Sequence, residues 1–222
     1  MAKKNKKKVK KIKKAKKVKG KASRLAQRQA RSKIKKTKRR KGESLVYLGL
    51  GSNVGDREEY IEQAVFLLEK YPKIEVTKRS SNYETEAEGG KAQPLFINAV
   101  VEIRTKLSPE KVLDVCNEIE VTLGREREVE WGPRTMDIDI LIFDKEIISD
   151  KKLQIPHPLM HERLFVLKPL REIAPNLPHP ILEKSISSLY EERKADGNDK
   201  YDDDLPGFKE IKGATYDDYE RW

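Results

Sequence analysis

The sequence predicts an α+β fold: helices packed on an antiparallel sheet, with further helices toward the C-terminus. Three observations carry that reading. Four short apolar segments have strand character, two amphipathic stretches begin at helix-capping residues, and their chain order between residues 43 and 144 is β-α-β-β-α-β. That order is the split pattern of a ferredoxin-like sheet with both helices on one face.

The elements follow in turn. Leu45–Leu50 is a short apolar strand that ends in the glycine-rich GLGSNVGD. Asp56 stands as an N-cap with Glu59 three residues on, the capping-box spacing. Ile61, Ala64, Val65 and Leu68 then recur at helical spacing and Pro72 closes the helix. Ile74–Tyr83 fits a second strand, Glu84–Pro94 is a loop with two glycines, and Phe96–Thr105 is a third strand. Ser108 caps and Pro109 opens the second helix, which carries Val112, Cys116, Ile119 and Leu123 on one face and stops at Gly124. The fourth strand lies in WGPRTMDIDILIFD, residues 131–144. Beyond it, IPHPLMHERLFVLKPLREIAP predicts a helix between prolines, and Ile181–Tyr190 a further one.

Charge divides the 222 residues into three parts. Residues 1–42 hold 23 Lys and Arg and no acid, whereas the other 180 hold 25 basic and 37 acidic groups. The basic tail repels itself and is expected to be disordered when free. It reads either as a solubilising extension or as an anchor for nucleic acid or another polyanion. Residues 43–190 carry the periodic signals, and residues 191–222 form an acidic extension with 11 acidic and 6 basic groups. The single cysteine, Cys116, excludes an intrachain disulfide and points to a reducing compartment. A cytoplasmic setting is expected, with a mitochondrial transit peptide as the lesser reading of the acid-free basic leader. No apolar run reaches the length of a membrane span, so no membrane partner is expected. A monomer is expected.

Chemistry concentrates in residues 131–144. Met136, Ile138, Ile140 and Ile142 alternate as a core-facing strand should, which leaves Asp137 and Asp139 together on the other face. Residues two apart on a strand point the same way, about 6.5–7 Å apart, so both carboxylates face one cleft. Such a pair suits Mg²⁺, which binds through one or two carboxylates plus substrate phosphates, or a metal pair of the two-metal kind. A bare Asp-x-Asp also occurs on solvated strand faces. Here Arg125, Arg127 and Arg134 precede it and Arg163 follows, and guanidinium forks match phosphate oxygens. Carboxylates for a metal beside arginines for phosphate is the arrangement that neutralises a polyphosphate during transfer. No P-loop or protein-kinase signature is present.

The blocks GLGSNVGD, RSSNYET, FINAVV, NEIEVTLGRER, WGPRTMDIDILIF and IPHPLMHERLFVLKPL, in this order, closely resemble the 6-hydroxymethyl-7,8-dihydropterin pyrophosphokinases of folate biosynthesis. The resemblance spans residues 45–186 and leaves both tails outside. It implies transfer of pyrophosphate from ATP to the hydroxymethyl oxygen of the reduced pterin, with AMP released. Two Mg²⁺ ions would be held by Asp137 and Asp139. Arg125 and Arg134 match arginines that steady the phosphates. Asn117, Glu120, Arg127, Ile140, His157 and Arg163, with Arg134, match positions lining ATP. Phe96 and Phe165 match the aromatic pair around the pterin and Asn98 its amide, while Thr85 and Glu86 fall in the loop at the pterin edge. Trp131 falls in a loop that closes over the substrates.

Several residues bear on this independently. Phe96 and Asn98 are two apart on one strand and share a face, an aromatic plate beside an amide. Taken alone, Phe96 and Phe165 also fit ordinary core positions. His157 and His161 lack a third ligand motif, and Pro158 interrupts a helical zinc pair. His161 reads as a surface residue and Cys116 as a small core residue. The chain departs from the family after Thr85, where Glu86, Ala87 and Glu88 replace the usual prolines. An alternative from another class is a nucleic-acid-binding protein acting through its basic tail, with a secondary or inactive kinase-like core. In a third reading the tail folds back on the acidic end.

Overall fold

The structure, a computed structural model, describes residues 42–87, 93–125 and 134–196 and the backbone of 209–211. The basic tail up to residue 41, Arg127, Trp131, the Gly89–Gly90 pair and most of the acidic extension lie outside these residues. The described chain runs β1 (Ser44–Ser52), α1 (Arg57–Lys70), β2 (Ile74–Arg79), β3 (Asn82–Thr85), β4 (Phe96–Thr105), α2 (Pro109–Thr122) and β5 (Asp137–Phe143). A short β6 (Ile148–Ser149) and β7 (Gln154–Ile155) follow, then α3 (Leu164–Ile173), α4 (Ile186–Ala195) and β8 (Lys209–Ile211).

The sheet order is β5-β1-β4-β3-β8, with β2 also paired to β4, and these pairings are antiparallel. Taken with its helices, this is the expected ferredoxin-like arrangement. Val46, Leu48 and Leu50 of β1, Ile97, Ala99, Val101 and Ile103 of β4, and Ile138 and Ile140 of β5 point to one face. There they meet Ile61, Ala64 and Leu68 of α1 and Val112, Cys116 and Ile119 of α2. Each Val, Leu or Ile side chain among them that is removed from water contributes roughly 1.5–3 kcal/mol. Helices α3 and α4 cover part of the other face through Leu164, Leu167, Leu170, Ile186, Leu189 and Tyr190, packed on Tyr47, Val100, Leu141 and Ile142.

Both helix starts form as their sequences predict. The Glu59 amide donates to the Asp56 carboxylate at 3.2 Å, and the Lys111 amide to Ser108 Oγ at 3.4 Å. The Glu59 carboxylate accepts instead from Gln63 at 2.8 Å, along the helix.

Two expectations are corrected. The segment expected as one strand over Ile74–Tyr83 is two, β2 and β3, broken at Ser80 and Ser81. Ser80 Oγ accepts from the Val100 amide at 2.9 Å, and the Ser80 amide donates to the Val100 carbonyl at 2.9 Å. A serine side chain has thus taken a ladder position and bent the strand. The alternation proposed for Met136 to Ile142 also fails at its end. Leu48 pairs with Ile140 but Tyr47 with Ile142, so Leu141 is an extra residue, a β-bulge. Beyond it the phase inverts: Ile142 joins the α3 side and Phe143 the α1–α2 side.

Candidate active site

A cavity of about 400 Å³ opens on the sheet face opposite α1 and α2, beside the start of α3. Its floor follows from strand periodicity. Gly49 and Gly51 of β1, Phe96, Asn98 and Val100 of β4, and Asp137, Asp139 and Leu141 of β5 line it from one face. Register decides which of these are neighbours. Gly51 lies between Asn98 on one side and Asp137 on the other, and Gly49 between Val100 and Asp139. The backbone positions of Asn98 and Asp137 therefore stand two strand spacings apart, roughly 9.6 Å along the sheet, with a glycine between. A Cβ added at Gly51 would sit 3.3 Å from Asn98 Oδ1, 3.8 Å from Phe96 Cδ1 and 4.0 Å from Asp137 Cβ. The glycine keeps this floor open.

On the amide side, Asn98 Nδ2 donates to Thr85 Oγ1 at 2.8 Å, and both residues are buried. Thr85 is paired opposite Phe96, which puts the aromatic ring at the same wall. Phe165, one residue into α3, also lines the cavity, with the Arg163 guanidinium 5.6 Å from its ring centre. Glu86 lines the mouth.

On the carboxylate side a chain of charges begins at a helix end. Gly124 has φ +80°, its amide donates to Val121 O at 3.1 Å and the Arg125 amide to Glu120 O at 3.0 Å. These two bonds form a Schellman cap, whose left-handed position favours glycine. The cap aims Arg125 back along α2, where Nη1 meets both the Glu120 carboxylate and Asp137 Oδ1, the latter at 2.9 Å. Arg134 Nη1 binds Asp137 Oδ2 at 2.6 Å. Buried Glu120 accepts from the Ile138 amide at 2.7 Å, which pins the start of β5. Burial, before any charge effect, raises the Glu120 pKa.

Burial also pushes Asp139 up to about 6; the neighbouring Asp137 charge adds to the rise, while Arg163 and Arg134 oppose it. A cation between the two carboxylates would reverse this cost. Among the described residues no group of three or more His, Cys, Asp or Glu is placed to hold a metal. The pair therefore fits an ion that takes its remaining ligands from water and phosphate, as Mg²⁺ does. His157 also lines the cavity; its Nδ1 accepts from the Leu159 amide at 3.2 Å. Burial first, and Arg163 second, hold its pKa down at about 4, so the ring is neutral at pH 7.

Most of the expected residues thus come together. Thr85, Glu86, Phe96, Asn98, Arg134, Asp137, Asp139, His157, Arg163 and Phe165 line one cavity. Arg125 and Glu120 stand behind Asp137. Asn117 is half-buried on α2 and donates to Leu113 O, and the Ile140 side chain lies in the core on the helix side of the sheet. Arg127 lies outside the described residues. His161, expected at the surface, is only half-exposed and packs edge-on against His179 at 5.8 Å.

Gly49, Gly51, Asn53 and Gln93 were missed by sequence reasoning. Asn53 is buried, accepts from the Arg134 amide at 2.7 Å and donates to Gln93 at 3.2 Å, so it ties two cavity-lining segments together. The glycines had a legible signal. In VYLGLGS the apolar residues occupy one phase of the strand and the glycines the other, the mark of a strand that must leave space on one face.

Comparison with known proteins bears on the family and the fold. The family model described as 7,8-dihydro-6-hydroxymethylpterin-pyrophosphokinase matches residues 47–175. The 2-amino-4-hydroxy-6-hydroxymethyldihydropteridine pyrophosphokinase of Bacillus subtilis is 53% identical over 130 residues, 59% of this chain and 78% of that protein. The protein of the same name from Aquifex aeolicus is 44% identical over 144 residues, 65% of this chain and 89% of that protein. Among solved structures, wild-type Plasmodium falciparum HPPK-DHPS with pteroate superposes with a TM-score of 0.60 at 18% identity. That match covers 76% of this chain and 46% of the other, so this chain spans about half of the longer protein, and the likeness speaks for the fold. A glycine-floored cavity with carboxylates and arginines on one side and an amide and aromatics on the other, carried on the matched span, leaves one conclusion: the chain belongs to the 7,8-dihydro-6-hydroxymethylpterin-pyrophosphokinase family.

Proposed function

We propose that this chain transfers an intact pyrophosphoryl group from ATP to the hydroxymethyl oxygen of 6-hydroxymethyl-7,8-dihydropterin, releasing AMP, as a step of folate biosynthesis. The observation that carries the reading is the glycine gap between Asn98 and Asp137. A flat heterocycle seated against Asn98 and Phe96 puts an exocyclic hydroxyl toward the two carboxylates, where a triphosphate arrives.

Phe96 and Phe165 sandwich the pterin, Asn98 bonds its polar edge, and Thr85 and Glu86 border it. Thr85 fixes which way the Asn98 amide faces, because Asn98 Nδ2 already donates to it. The free amide oxygen is then left to accept from a ring N–H. Asp137 and Asp139 hold Mg²⁺, in our reading two ions, which when bound supplies charge neutralisation for the phosphates and acidifies the attacking hydroxyl. Arg125 and Arg134 rest on Asp137, within reach of the transferring phosphates. Glu120, Arg163, the neutral His157, Asn117, Arg127 and the Ile140 backbone are assigned to the nucleotide. No covalent intermediate is needed, since positioning and charge neutralisation carry such transfers.

Residues 43–190 are assigned to this reaction, in a cytoplasmic monomer. Residues 1–42 are assigned to non-specific contact with nucleic acid or another polyanion, for which their 23 positive charges are the support. Among the described residues no helix is long and apolar enough to cross a membrane.

The test is the nucleotide product formed from ATP, Mg²⁺ and 6-hydroxymethyl-7,8-dihydropterin. AMP is expected in step with the pterin pyrophosphate; ADP, or no turnover, would overturn the reading.

A further inference from the structure

The wall of the cavity that carries Thr85 is a short strand. β3 has four residues, and Tyr83, Glu84 and Thr85 pair with Asn98, Ile97 and Phe96 of β4. That register sets Thr85 beside Asn98, and so fixes the amide. Three residues of pairing are a weak hold, because a strand that short gains little ladder energy of its own. Side chains add to it. Glu84 is paired with Arg57 at 2.9 Å, and Glu172 of α3 accepts from the Tyr83 hydroxyl at 3.0 Å and from the Ser81 amide at 2.9 Å.

The outer edge of β3 would present unpaired N–H and C=O groups, the template on which another strand forms. In this chain it is taken by β8. Lys209, Glu210 and Ile211 pair antiparallel with Glu84, Tyr83 and Asn82. β8 lies 34 residues beyond the end of the family-matched span at residue 175. It comes from the extension otherwise legible only as acidic sequence. Its pairing is main chain to main chain, so acidic composition does not oppose it.

We propose that β8 is a positioning strand for the pterin site: it clamps β3 from outside so that Thr85 and Asn98 keep the geometry the pterin edge requires. This rests on the pyrophosphokinase reading above. The clamp acts on the β3–β4 half of the cavity and leaves the Asp137–Asp139 half, carried on β5 at the opposite side of β1, untouched. The consequence is selective. Losing β8 weakens pterin binding and spares ATP binding.

The experiment compares the full chain, a chain ending at Asp196, the double variant K209P/E210P and its control K209A/E210A. Consecutive strand residues point their amides to opposite edges, so the double proline removes whichever of the two amides bonds β3. Pterin affinity is read by fluorescence titration in the presence of Mg²⁺ and a non-hydrolysable ATP analogue, and analogue affinity is measured separately. Truncation and the double proline are expected to weaken pterin binding about five- to tenfold, roughly 1–1.4 kcal/mol. Analogue affinity should hold within about twofold, and the alanine pair should behave as the intact chain. Equal pterin affinity in all four proteins would overturn the proposal. So would equal losses for pterin and nucleotide, which mark general fold support. An intact chain that binds the analogue but no pterin would overturn the function reading itself.

Discussion

Asp139 is where the site pays for its chemistry. Its folded pKa, about 6, lies above the ordinary carboxylate value of 3.8 because the group is buried beside Asp137. A raised carboxylate pKa means that stability is present below the unfolded value and is lost as pH rises through the folded one. At pH 7 the charged form therefore destabilises the protein, on the order of 1–3 kcal/mol. Asp139→Asn is expected to raise the melting temperature of the metal-free protein by a few degrees. The same change should reduce kcat at least about a thousandfold. Calorimetry and an AMP assay on one preparation check both; a variant that is active, or less stable, contradicts the assignment. Phe96→Ala should raise the pterin KM about ten- to a hundredfold through lost stacking and leave the ATP KM within about threefold. Gly51→Ala is a milder probe: its methyl would press on Asn98 and fill part of the gap, and pterin binding should suffer before nucleotide binding does.

At the level of elements, the cap of α2 is the part that turns local sequence into the geometry of the cavity's charged side. Gly124 holds a left-handed φ of +80° and no atom crowds its Cβ position, so alanine there meets backbone strain alone. The cost is about 1 kcal/mol. Gly124→Ala is expected to lower stability by that small amount while reducing kcat disproportionately, because Arg125 leaves the Glu120–Asp137 pair. Equal, small losses in both would show that Arg125 finds its place without the cap. The break between β2 and β3 works in a similar way. Ser80 replaces a backbone partner with its own hydroxyl, and β3 is thereby turned to bring Thr85 onto Asn98.

Across the whole molecule the acid limb of stability carries opposing contributions. His157 is held at about 4 and His179 is also lowered, both chiefly by burial. A lowered histidine pKa means that the unfolded chain binds the proton first, so stability falls as pH drops below about 6.5 and, for His157, continues to fall toward 4. Asp139 titrates in the other sense between 6 and 3.8 and offsets part of that loss. Urea midpoints at pH 7 and pH 5 should therefore fall only modestly in the parent. They should fall more steeply in Asp139→Asn, and less steeply in His157→Asn, with single-site effects of about 1–2 kcal/mol. Removing residues 1–42 is expected to leave turnover intact and to abolish salt-sensitive binding to RNA or heparin. Lost turnover would place the tail inside the catalytic unit instead.

Much of this was readable without coordinates, for a physical reason. Helix caps, strand alternation and the Asp-x-Asp spacing depend on neighbours a few residues away, so Asp56, Ser108, Gly124 and the shared face of Asp137 and Asp139 declared themselves. The motif blocks added the family and, with it, Phe96, Asn98 and Phe165 as one pocket. What the linear pattern lacked was register. Only the pairing of β1 with both β4 and β5 placed Gly51 between Asn98 and Asp137. Only the bulge at Leu141 turned Ile142 away from the helix-side core. Asn53, Gln93 and the edge pairing of β8 on β3 likewise join residues far apart in the chain. Contacts of that kind leave no local periodicity, because the energy that selects them is gained only once the sheet has closed.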